Sequence, residues 1–128
     1  MTYSNKAGVT VPDNVLLNKS KAFAIRIVRL CQHVRCEKRE YVLTKQLLHS
    51  GTSIGANARE SVYAQSSADF YSKLSIALKE ASETAYWLEL LMETDYLSPS
   101  QFQSIYSDCE ELIRLLTAIT KHRKDEED

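Results

Sequence analysis

Ser50, Ser53, Asn57 and Glu60 recur at three- and four-residue spacing, with Ile54 among them. At about 100° per residue these positions share an arc of roughly 120° on an α-helix. A core-facing stripe is ordinarily Leu, Ile and Ala, and a buried polar group without a partner costs about 1–3 kcal/mol. Such a stripe either meets a ligand or is satisfied inside the fold. The structural reading is a buried hydrogen-bond layer. Ser53, Asn57 and Glu60 would meet Lys73, Glu80 or Thr84 of a neighbouring helix, or backbone exposed near Gly51 and Gly55. A layer of this kind fixes helix register, as a buried Asn does in coiled coils.

Other chemistry finds little support. A carboxylate-bridged di-metal site on bundle helices needs Glu-x-x-His pairs. Glu80 and Glu83 are three apart, as are Asn57 and Glu60, but neither pair includes His. His33, His49 and His122 have no acid three or four residues before them. No metal and no cofactor is therefore expected. Cys31, Cys36 and Cys109 are an odd set without ligand spacing. Cys31 and Cys109 fall on apolar helix faces, which reads as core thiols kept reduced in a cytosolic protein. Gly51 and Gly55 lack the preceding strand and following Lys of a phosphate loop. The chain is read as a non-enzyme without a small-molecule substrate. An enzyme would need a pocket lined by Glu60, Glu80 and Glu83 with shifted acidities.

The elements that would position these residues are long. A chain of 128 residues with 44% apolar and 26% charged residues is one globular domain. Only 3 Gly and 2 Pro punctuate it. It has no run of about 18 apolar residues to cross a membrane, and no apolar leader at its start. Residues 1–12 read as a flexible arm. Asp13 or Asn14 caps a first helix running to about Cys36. Leu16, Phe23, Ile27, Leu30 and Val34 form its apolar stripe, and Leu17, Ala24, Ile25 and Val28 widen it. A stripe wider than about 100° implies a second buried contact, such as another subunit. After the charged break Glu37–Glu40, a second helix runs from Tyr41–Thr44 to about Gln65. Its Gly51 and Gly55 each cost about 1 kcal/mol, tolerable where another helix comes close or, alternatively, where the helix kinks.

Ser66 and Asp69 open a third helix, about 68–95, lined by Phe70, Leu74, Ala77, Ala81, Leu88, Leu91 and Met92. Ser98-Pro99-Ser100-Gln101 is a capping box opening a fourth. It carries Phe102, Ile105, Tyr106, Cys109, Leu112, Ile113, Leu116 and Ile119 and frays at Lys121–Lys124, before a disordered acidic tail at 124–128. Helices of about 22 to 28 residues with short connections predict an all-α, antiparallel up-down-up-down four-helix bundle over 13–123.

Net charge is −1, but residues 1–50 hold nine Lys/Arg against three acids, and residues 51–128 seven against fourteen. The basic surface predicted on helix 1 and its exit comprises Lys19, Arg26, Arg29, Arg35, Lys38 and Arg39. It could meet RNA phosphates or the acidic half of a neighbouring copy, or be simply a solvated helix face.

Two segments carry a family likeness. Gln46-Leu47-Leu48-x-Ser50-x-x-Ser53-Ile54-Gly55-Ala56-Asn57-Ala58-x-Glu60 is one. The other is Asp69-Phe70-x-x-Lys73-Leu74-x-Ile76-Ala77-x-Lys79-Glu80-Ala81-x-Glu83-Thr84-x-x-Trp87-Leu88. With Lys19–Val28, they resemble the four-helix-bundle family of proteins encoded in 23S rRNA intervening sequences, over about residues 14–120. The resemblance implies a compact antiparallel bundle assembled as a homopentamer. A related branch, the accessory variability determinant of diversity-generating retroelements, implies a basic pentameric barrel that partners a reverse transcriptase and nucleic acid. This chain departs in being slightly acidic and in having Ala58-Arg59-Glu60-Ser61 where Ile-Ala-Glu-Gly is common. The function expected is a cytoplasmic, non-enzymatic, self-assembling bundle that offers its basic helix 1 to RNA or a nucleic-acid-handling protein. The alternative is a protein-binding adaptor without nucleic-acid contact.

Overall fold

The computed structural model describes the backbone of residues 2–4, 10–12 and 14–127, and side chains over 15–121. Four α-helices make the body: α1 Asn14–Lys38, α2 Val42–Ser61, α3 Ser67–Glu93 and α4 Pro99–Glu127. Each packs on the next in sequence, and α1 also touches α4. No helix among the described residues is long and apolar enough to cross a membrane.

The helix boundaries follow from local chemistry. Ser66 caps α3, its hydroxyl accepting the Asp69 N–H at 3.0 Å. The capping box at α4 forms as the spacing predicts. Ser98 Oγ accepts the Gln101 N–H at 3.2 Å, and Gln101 Oε1 accepts the Ser98 N–H at 2.9 Å. Helix α1 ends where Arg39 takes a positive φ of 54°, the left-handed conformation that commonly stops a helix. Helix α2 begins on a device that the charged break conceals. The Glu40 carboxylate accepts the N–H groups of Val42, Leu43 and Thr44 at 3.0, 3.0 and 2.8 Å. Three of the four orphan donors at that helix end are thereby satisfied.

The core is one cluster drawn from all four helices. Leu16, Phe23, Ile27, Cys31 and Val34 of α1 meet Leu47, Ile54 and Ala58 of α2. Phe70, Tyr71, Leu74, Ala77, Ala81, Ala85, Leu88 and Leu91 of α3, Ile105, Cys109, Leu112 and Leu116 of α4, and Ala64 and Leu97 of the connections complete it. Each large side chain so buried contributes about 1.5–3 kcal/mol. Contacts across the seams run in opposite chain directions. Lys19 meets Glu111 and Arg26 meets Asp108 between α1 and α4. Ser50 meets Thr84 and Glu60 meets Lys73 between α2 and α3.

The two chain ends differ from expectation. Thr2–Ser4 (β1) and Thr10–Pro12 (β2) pair antiparallel, with Tyr3 opposite Val11, so these positions are not a structureless arm. Runs of three residues are too short to show alternation, although Thr, Tyr and Val favour strands. Helix α4 continues through Glu127, past the predicted fraying point, so 124–127 is helical rather than disordered. The proposed cap Asp13 and the remainder of the arm at 1 and 5–9, like Asp128, lie outside the described residues.

Candidate functional site

The polar stripe of α2 is rotated out of the core. Ser50 and Ile54 are buried, but Ser53 and Asn57 are half-buried and Glu60 is exposed. Residues 53, 57 and 60 sit about 60–120° around the helix from Ile54, whereas 47, 50, 58 and 61 stay within about 40° of it. The predicted layer of Ser53, Asn57, Glu60 and Glu80 is thus corrected. Ser53 Oγ donates to the His49 carbonyl at 2.6 Å and Asn57 Nδ2 to the Ser53 carbonyl at 2.9 Å, both within α2. Glu60 pairs with Lys73 at 3.3 Å on the surface. The buried polar groups are instead Ser20, Thr44, Ser50, Ser61 and Thr84. One bond between them crosses helices: Thr84 Oγ1 to Ser50 Oγ at 2.9 Å. The hydroxyls of Ser20, Ser61 and Thr44 bond backbone carbonyls three or four residues earlier.

Glu80 is half-buried, and its Oε2 is shielded without a hydrogen-bond partner. Burial, and then the Glu83 charge, raise its pKa, while nearby His49 pulls the other way. Glu60 lines the separate groove between α1 and α2. Burial pushes the Cys31 thiol up to about 11 and the Cys109 thiol up to about 12. Both are poor thiolates, and their Sγ atoms bond the Thr44 and Ala81 carbonyls. Among the described residues no three of His, Cys, Asp and Glu gather as a metal cluster.

The six predicted cations divide. Lys19 pairs with Glu111 at 3.1 Å. Arg26 pairs with Asp108 and also bonds the Ser104 carbonyl and hydroxyl at 3.2 and 2.8 Å. Arg35 donates through Nε to Thr44 Oγ1 at 2.8 Å. Arg29, Lys38 and Arg39 are exposed and show no ion pair among the described residues.

Two grooves lie between α1 and its neighbours, and a third runs along the outer face of α1 itself past Ile25, Val28 and Arg29. The first, about 540 Å³, lies against α2. Leu17, Ala24 and Lys21 form its α1 wall; Thr52, Gly55 and Ala56 form the other, with Arg59, Glu60 and Tyr63 at one end. Beside it Ile25 and Val28 stay 46% and 37% exposed. This is the wide apolar arc read from the sequence, and the bundle leaves much of it uncovered. Gly51 and Gly55 explain how α2 comes so near. A Cβ on Gly51 would lie 2.8 Å from Ile27 Cγ1, and one on Gly55 would lie 3.4 Å from the Ser20 backbone. The second groove, about 520 Å³, lies between Arg26, Arg29 and His33 of α1 and Ser100, Gln101 and Ser104 of α4. Sequence reasoning missed the α4 wall. Its sequence signal is the Ser-rich opening of α4, read there as a helix start, of which only Ser98 and Gln101 form the capping box.

The family model described as 23S rRNA-intervening sequence protein matches residues 12–118. No curated protein matches. The chain is similar in structure to a Bacteroides thetaiotaomicron VPI-5482 protein of unknown function from the S23 ribosomal protein family. The TM-score is 0.82 at 54% sequence identity, over 83% of this chain and 98% of that one.

Proposed function

Because the chain belongs to the 23S rRNA-intervening sequence protein family, we propose that it is a non-enzymatic, self-assembling helical bundle that presents α1 to RNA. The reversed pairing at every seam supports an antiparallel up-down-up-down arrangement. Arg35–Thr44 joins α1 to α2 near their connection, and Tyr106–Glu89 joins α3 to α4 near theirs. The observation that carries self-assembly is the uncovered face of α1. Ile25 and Val28 project beside a groove walled by Gly55 and Ala56, where small side chains allow another helix close approach. A second copy is the partner read there, and the family resemblance implies a ring of five.

RNA contact rests on Arg29, Lys38 and Arg39, which are exposed and show no ion pair among the described residues. The pairing of Lys19 and Arg26 within the chain favours the second reading, a protein-binding adaptor, because it leaves fewer charges for phosphates.

Native mass spectrometry and light scattering test assembly. A pentamer is expected, and Ile25→Asp with Val28→Asp should dissociate it while helical circular dichroism is kept. A wild-type monomer at micromolar concentration overturns self-assembly. Retention of single-stranded RNA should fall with salt at about 0.7 log units per phosphate contact and log unit of salt. Absent or salt-insensitive retention leaves the adaptor reading.

A further inference from the structure

We propose that the groove between α1 and α4 is a binding site for a phosphate group. It sharpens the RNA reading by naming where a phosphate sits. It also stands apart from that reading, because a free nucleotide carries the same group.

The argument starts from the lining. No carboxylate lines this groove, whereas both of its walls carry hydrogen-bond donors. Arg29 and His33 are one turn apart on α1, so they project to the same side. Both are exposed and show no ion pair among the described residues. Arg26 is held by the Ser104 carbonyl and hydroxyl and by Asp108, which fixes one edge of the groove before any ligand arrives. Across from these groups stand Ser100 and Gln101, in the first turn of α4.

The pattern selects phosphate over a planar carboxylate. A guanidinium fork engages two oxygens in one plane. A tetrahedral phosphate has further oxygens to offer to His33 and to the hydroxyl across the groove. The positive end of the α4 macrodipole adds to this field. The Ser98–Gln101 capping box already occupies a first-turn N–H, so side chains rather than a backbone nest hold the ligand. The groove is open to solvent on its outer side, so a phosphate can enter it while the nucleoside or the rest of a strand lies outside.

The α1–α2 groove offers a contrast. There Glu60 stands beside Lys21 and Arg59, and small apolar residues form the walls. Its lining fits a helix better than an anion.

The test uses the full chain with two probes, a labelled single-stranded RNA 12-mer and uridine 5′-monophosphate. Arg29→Gln with His33→Gln is compared with Lys45→Gln with Lys79→Gln, a control on α2 and α3 outside the groove lining. All four side chains are exposed, and an unchanged thermal melt checks each fold. The groove variant should bind both probes about tenfold more weakly, and the control should change uridine monophosphate binding little. Nucleotide addition should shift the ring signals of His33 in nitrogen-edited spectra and leave those of His49 in place.

Loss for RNA alone supports a phosphate supplied by a strand; loss for the nucleotide with no RNA binding by the wild type supports the groove and overturns the RNA reading. A groove variant equal to wild type for both probes overturns the phosphate site and leaves the RNA reading intact. A wild type that binds neither probe overturns both.

Discussion

Helix α1 is held on its two flanks by opposite kinds of seam. Toward α2 it is packed by shape: Ile27 fills the space a Cβ on Gly51 would need, and the Ser20 backbone lies beside Gly55. Toward α4 the backbones stay farther apart, and long ionic side chains bridge the gap, Lys19 to Glu111 and Arg26 to Asp108. The tight seam puts its free energy into close packing, which is large and intolerant of added volume. The loose seam relies on half-exposed ion pairs, which contribute little but leave volume and donors accessible. Close packing and an open, donor-lined cleft thereby lie on different sides of one helix.

The sharpest way to break this contrast is to add atoms to the tight seam. Gly51→Leu should destabilise by about 3 kcal/mol in urea unfolding, because the stiff, fully buried Ile27 side chain cannot move aside. Gly51→Ala combines about 1 kcal/mol of helix propensity gained with overpacking of about 1–3 kcal/mol, so a net loss of about 1 kcal/mol is expected. Gly55→Ala should instead be neutral or up to about 1 kcal/mol more stable, since its nearest neighbours at 3.4 Å leave room for a methyl. Equal stabilisation by both alanines would show that the seam is not tight at Gly51.

These two glycines also mark what the sequence made legible. Two costly residues inside one amphipathic helix pointed to close approach of a neighbour, and the neighbour is α1. The helices, their order and most of the core followed from 3.6-residue periodicity and from the capping signals at Ser66 and Ser98. The polar layer did not. Ser53, Asn57 and Glu60 share a stripe with Ser50 on paper, but a rotation of about 60–120° decides which of them enters the core. That rotation is set by packing of Leu47, Ile54 and Ala58, not by the polar residues. Glu40 was hidden for another reason: within Glu37–Glu40 it reads as one more solvated charge, and its carboxylate becomes a cap only when the chain turns. The α1–α4 groove was illegible because its walls are 67 or more residues apart in sequence.

A smaller effect separates two carboxylates by sign, Glu40 at the start of α2 and Glu80 within α3. At Glu40, burial works against ionisation, but the N–H groups of Leu43, Thr44 and Val42 and the Thr44 side chain outweigh it. Its pKa is held below the ordinary 4.5. Its contribution is present above 4.5 and is lost as pH falls through the depressed folded value. Glu40→Gln should therefore cost about 1 kcal/mol at neutral pH, with the gap to wild type closing in acid. Glu80 has the opposite sign, its folded pKa being raised above 4.5. Its ionised form penalises the fold, and that penalty grows as pH rises from 4.5 through the raised value. Glu80→Gln should thus be neutral or slightly stabilising at pH 7, with no advantage in acid. Parallel pH profiles of unfolding for the two variants would break the assignment.

The smallest changes belong to the loose seam, and there a small effect is the informative one. Lys19 and Glu111 are 45% and 43% exposed, Arg26 and Asp108 41% and 45%. Pairs this wet contribute about 0–1 kcal/mol and weaken as salt shortens the screening length. Lys19→Gln should lie at the bottom of that range. Arg26→Gln should lie above it, because the guanidinium also bonds the Ser104 carbonyl and hydroxyl. A double-mutant cycle with Asp108→Asn separates the ionic part, which should shrink between 0.05 and 0.5 M salt to about a few tenths of a kcal/mol. A coupling above about 2 kcal/mol that ignores salt would place Arg26 among the residues that hold the bundle together. The groove beside it would then be a product of packing, and the division of labour across α1 would fail on the side where ligand access is claimed.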